Sequence, residues 1–149
     1  MNDSRATAEK LQKVLEENGF VLEEKRPTLR AMVSKCQKLP RTSAVLKSFV
    51  IDNILPLDSL LFIMNTLLKM GETIPPKKFL EIFKKSLSCW LEVQGKSELQ
   101  YHNNDVLIGE IVSVFTSISL ATGTSETNVK KLLGEFKWYQ DYLDPLGII

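Results

Sequence analysis

One histidine, two cysteines, seven glycines and six prolines stand among 149 residues, and each scarcity closes off a class of chemistry or fold. General acid–base catalysis and metal binding draw on clustered side chains, and His102 in the polar stretch YHNND has no second histidine to join it. Cys36 and Cys89 share no metal-type spacing, and two thiols do not make a disulfide framework. So few glycines and prolines argue against a β-sandwich, which needs a turn roughly every ten residues. Neither GxGxxG nor a GxxxxGK phosphate loop occurs. The carboxylate pairs Glu16-Glu17 and Glu23-Glu24 are sequence neighbours and do not face each other on a helix. The residues therefore lead us to expect no catalytic residue, no metal site, no cofactor and no small-molecule substrate.

The amino-terminal stretch MNDSRATAEKLQKVLEE lacks the apolar core of a signal peptide. The expectation is an intracellular protein, cytoplasmic or nuclear, in which the Asn2-Asp3-Ser4 acceptor pattern carries no meaning. The greasiest stretch, LPLDSLLFIMNTLLKMGETIPP, has nine Leu, Ile, Met or Phe among the fourteen residues from Leu57 to Met70. That is short of the about 20 apolar residues of a bilayer span, and no membrane association is expected.

What is present is helical pattern. The fences of the greasy segment are helix signals: Pro56, then Asp58 as an expected N-cap, and Gly71 at the closing C′ position. Only Asp58, Asn65, Thr66 and Lys69 are expected on its polar stripe, with Leu61, Phe62, Met64 and Leu68 across its apolar surface, so it reads as a central core helix. The following segment, PPKKFLEIFKKSLSCWLEV, opens with proline in its first turn. Phe79, Phe83, Leu87 and Trp90 recur there at helical spacing, and Cys89 is expected in the core.

Further helices are expected over 4–18, 28–38, 43–55 with Ser43 as cap, and 125–143 capped by Ser125 or Thr124. Residues 106–121, VLIGEIVSVFTSISLA, are rich in β-branched side chains and nearly alternate, as a strand does. Helix is preferred because a lone strand has nothing to pair with. Leu107, Ile111, Val114, Phe115 and Ile118 then face inward, and Asp105 caps the start. The fold expected is all-α: one domain of about seven helices in antiparallel pairs, either a compact bundle or a short α-solenoid. The 58–70 and 76–92 pair resembles, in pattern alone, a hairpin of the tetratricopeptide or pentatricopeptide kind, although no second unit repeats it.

Charge is segregated although the net charge is only +1. Residues 25–96 carry thirteen bases against five acids, whereas residues 97–149 carry three bases against seven acids. Lys25, Arg26, Arg30, Lys35, Lys38, Arg41 and Lys47 run without an intervening acid. Lys77, Lys78, Lys84 and Lys85 add a second basic face. These faces either bind nucleic acid or an acidic partner through charge, or they simply solubilise helix surfaces. Lys35 and Lys38 are also placed to lower the pKa of Cys36 somewhat, but a buried or idle cysteine is the preferred reading because no neighbouring residue supplies a base. The carboxyl end, EFKWYQDYLDPLGII, gathers Trp138, Tyr139 and Tyr142, then Leu146, Ile148 and Ile149. Aromatics of this kind are favoured interface anchors, unless they dock on the chain's own core. The apolar ending also suggests a chain cut from a longer one. The reading reached is a non-catalytic module that binds another protein or itself, with a nucleic-acid-binding domain as the alternative.

Overall fold

The computed structural model describes residues 3–20 and 25–146, and they are all-α, with eight helices and no strand among the described residues. In chain order these are α1 (Asp3–Glu17), α2 (Leu29–Lys38), α3 (Thr42–Asp52), α4 (Leu57–Lys69), α5 (Pro76–Gln94), α6 (Asp105–Thr122), α7 (Glu126–Leu133) and α8 (Lys137–Leu146). The chain divides into two units, Met1–Thr73 and Ile74–Ile149. The expected 58–70/76–92 hairpin straddles that division.

In the first unit α1 packs on α2 and α3, and α4 packs on α3 and α2. Ala8, Leu11 and Leu15 of α1 and Leu57, Leu60, Leu61, Ile63, Met64 and Leu67 of α4 supply much of its core. The outward row of α4 differs from the expected stripe. It runs through Asp58, Phe62, Asn65 and Lys69, all exposed, while Thr66 is buried and donates its hydroxyl to the Phe62 carbonyl at 3.1 Å. That internal bond lets a threonine replace an apolar residue in the packed face at little cost. Leu68, expected in the core, is only half-buried, and Leu67 takes its place.

Three of the expected caps are displaced by one or two residues. α4 begins at Leu57, so Asp58 lies in the first turn and accepts the Ser59 amide at 2.9 Å. α3 begins at Thr42 after Arg41, which holds φ 67° in the left-handed region, and not after Ser43. Thr42 is fully buried because its hydroxyl reaches the carbonyls of Cys36 and of Leu39, the latter at 2.9 Å, tying off the end of α2. α6 is preceded by Asn104, which leaves Asp105 as its first residue.

In the second unit α5 packs on α6 and α7, and α6 packs on α7 and α8. The β-branched run is helix α6, with Ile108, Ile111, Val114, Phe115 and Ile118 buried and Leu107 half-buried. Phe115 meets Phe79 and Phe83 edge-on at 5.0 and 5.5 Å between ring centroids. These edge-to-face contacts fix α5 against α6.

The helix expected over 125–143 is two helices. Ser125 caps α7 as expected, accepting the Asn128 amide at 3.3 Å, but the helix stops at Leu133. Gly134 lies so close to the preceding turn that a Cβ there would come within 2.9 Å of the Lys130 carbonyl. The chain then restarts as α8, with the Tyr139 amide bonded to the Phe136 carbonyl at 3.1 Å. The apolar spacing of Val129, Leu132, Leu133 and Phe136 continues across the break, so periodicity alone conceals it.

Candidate functional site

The aromatic cluster expected as a partner-binding edge lies inside the second unit. The Gly134 break turns α8 so that Trp138 and Tyr139 are 2% and 4% exposed. Trp138 stacks on Phe136 at 5.0 Å and meets Phe83 edge-on at 6.1 Å. Its Nε1 is buried with no hydrogen-bond partner among the described residues. These two residues therefore serve the core, which corrects their reading as open anchors. Burial pushes the Tyr139 phenol above its usual pKa, with Glu126 and Tyr142 adding to the rise. Tyr142 is half-buried, stacked on Tyr139 at 6.4 Å and edge-on to Tyr101 at 5.8 Å. The side chain of Leu146 and the whole of Ile148 lie outside the described residues.

Of the two cysteines, Cys36 is buried as preferred and Cys89 is not where it was expected. Cys36 is fully buried, and desolvation pushes its thiol up to about 11, so the neighbouring lysines do not make it a reactive thiolate. Cys89 is exposed on α5, not in the core. His102 is exposed in the loop before α6. No group of three His, Cys, Asp or Glu side chains suited to a metal ion occurs among the described residues. Among the described residues one helix, α6, is long and apolar enough to cross a bilayer by length and composition alone. Its apolar residues Ile108, Ile111, Val114, Phe115 and Ile118 are packed inside the second unit.

The basic residues divide between the units. In the first, Arg26, Arg30, Lys38 and Arg41 are exposed and Lys35 is half-buried. In the second, Lys77, Lys78, Lys84 and Lys85 are exposed on α5, and two of them are engaged by carboxylates. Lys78 pairs with Glu81 at 3.6 Å, and Lys84 pairs with Glu135 at 2.7 Å while lying 6.0 Å above the Phe136 ring.

The concave feature that stands out is a groove of about 460 Å³ in the second unit. It is lined by Pro75, Pro76 and Lys77 from the start of α5 and by Thr124, Asn128, Lys131 and Leu132 from the α6–α7 corner and α7. Backbone geometry holds both walls. Pro75 fixes the entry to α5 and its carbonyl accepts the Phe79 amide at 2.9 Å. Thr124 is clamped by its amide to the Ser119 carbonyl at 3.0 Å and by its carbonyl to the Ser119 hydroxyl at 2.5 Å. The proline rings and Leu132 give the groove an apolar floor, Thr124 and Asn128 give it hydrogen-bonding capacity, and the two lysines give it positive charge. A volume in this range suits a ligand or a short peptide segment. Lys77 is visible in the sequence as part of a basic face, but the groove is not, because its two walls are some fifty residues apart in the chain. No family model, no curated protein and no solved structure matches the chain.

Proposed function

We propose that the chain is a non-catalytic protein-interaction module, with the groove of the second unit as its partner-binding surface. The observation that carries this reading is the lining itself. Pro75, Pro76 and Leu132 present apolar surface beside hydrogen-bonding and cationic groups, and among the described residues the lining includes no acid, thiol or imidazole. Recognition sites combine an apolar body with a few placed polar groups in this way. The exposed Ile51, Ile54 and Phe62 of the first unit, at 36%, 58% and 37% exposure, offer apolar surface for further contact.

Affinity capture with the wild-type chain and with Asn128→Trp, from nuclease-treated extract, tests the reading. Asn128 is exposed, so an indole there fills the groove without disturbing the core. A protein retained by the wild type and lost by the variant is the expected result. Retention by both forms, or by neither, overturns the assignment.

A second reading, a helical nucleic-acid-binding domain, is supported by the acid-free run of seven bases from Lys25 to Lys47. Charge of this kind binds phosphate backbones with steep salt dependence and no base preference. Neutralising Arg26, Arg30, Lys38 and Arg41 together should then abolish binding to single- and double-stranded oligonucleotides alike and flatten its salt dependence. A chain that binds no oligonucleotide at low salt removes this reading.

A further inference from the structure

The carboxylates near the groove follow a pattern. Lys78 and Lys130, which do not line it, are each paired within their own helix, with Glu81 at 3.6 Å and Glu126 at 3.8 Å. Lys77 and Lys131, which do line it, have no carboxylate partner among the described residues, and no acid contributes to the lining. The start of α5 adds charge of the same sign, since Pro75 offers no side-chain cap and the first turn holds no acid. The groove thus keeps two cations unneutralised against an apolar floor. Such a surface is complementary to an occupant that brings both negative charge and apolar bulk.

We infer that the occupant is an acidic peptide segment of a partner protein. A Glu or Asp carboxylate would lie between Lys77 and Lys131, and a neighbouring Leu, Ile or Phe side chain would rest on Pro75, Pro76 and Leu132. This rests on the groove's being the partner-binding surface and specifies the chemistry of what it accepts. Nucleic acid would satisfy the lysines but leave the apolar floor uncovered, and a neutral apolar segment would leave the lysines unanswered.

Selection from a library of randomised, end-blocked hexapeptides on the immobilised full chain tests the inference without needing the natural partner. Enriched peptides should carry a glutamate or aspartate adjacent to an aliphatic or aromatic residue. Their affinity should fall by about tenfold or more for K77E/K131E. It should stay unchanged for K78E/K130E, which carries the same charge change outside the groove. All four lysines lie outside the core, so thermal melting should show both variants folded. Enrichment of neutral or basic peptides, equal loss in the two double variants, or no enrichment at all overturns the inference. So does binding of a single-stranded oligonucleotide that is lost only in K77E/K131E. A partner captured by the wild type but still bound by K77E/K131E would refute the acidic occupant alone. A partner still bound by Asn128→Trp would refute the groove itself.

Discussion

Trp138→Ala separates a core role from an interface role in a single variant. A buried tryptophan removes ~150–250 Å² of mostly apolar surface from water, worth ~4–6 kcal/mol at about 25 cal/mol per Å². Against this stands its indole N–H, buried without a partner among the described residues, an arrangement that costs ~1–3 kcal/mol. The net loss expected on truncation is therefore about 3 kcal/mol, at the lower end of the range for large aromatics. Trp138→Phe keeps most of the ring contact with Phe83 and Phe136 and removes the orphaned donor, so it should cost less than half as much. Urea titration followed by far-UV circular dichroism reads both variants, and size-exclusion chromatography shows whether association changes. A loss below about 1 kcal/mol for the alanine variant, or a loss of association with stability intact, would refute the packing argument and return Trp138 to the surface.

Three further outcomes follow from the packing. Leu67→Ala should cost ~2–5 kcal/mol and Leu68→Ala less than half of that, because only Leu67 is fully buried; equal losses in denaturant titration would contradict the register of α4. Gly134→Ala should destabilise, because its Cβ would press on the Lys130 carbonyl at 2.9 Å, whereas Gly→Ala at an unhindered helical position stabilises by ~0.4–1 kcal/mol; a raised melting temperature would refute the reasoning. Cys36 holds its proton up to about 11 when folded, against 9.0 for an ordinary thiol. Between those values the unfolded chain has lost a proton that the folded chain keeps, so stability should fall with rising pH by up to ~2–3 kcal/mol. Stability curves for the wild type and Cys36→Ala across that window should differ by this slope, and parallel curves would show that Cys36 is not desolvated.

The helices were legible wherever one periodic face meets a clear stop. Gly71, at φ 82°, closes α4 as expected, and Phe79 and Phe83 mark the buried face of α5. The β-branched run of α6 was ambiguous by composition, and the absence of a partner strand resolved it correctly. The break before α8 was hidden because Gly134 stands in helical conformation, φ −66° and ψ −16°. The close approach of Gly134 to the Lys130 carbonyl, which leaves no room for a Cβ, is a feature of the packed turn that no local pattern records. Register errors of one residue, Leu68 for Leu67, and of two, Ser43 for Arg41, arose where apolar or polar neighbours offered equivalent choices. Cys89 was misplaced because Ser88, Cys89 and Trp90 sit at the edge of the apolar face of α5, where small shifts in helix rotation decide burial. The groove was invisible for a different reason: Lys77 and Lys131 come to line one groove only through the packing of α5 on α7.

Amide hydrogen exchange of the full chain, with and without the protein it captures, tests the central claim most directly. Binding in the groove should slow exchange at residue 77 and across 124–132, and leave residues 25–47 unchanged. Slowed exchange confined to 25–47, with the groove segments unaffected, would contradict it.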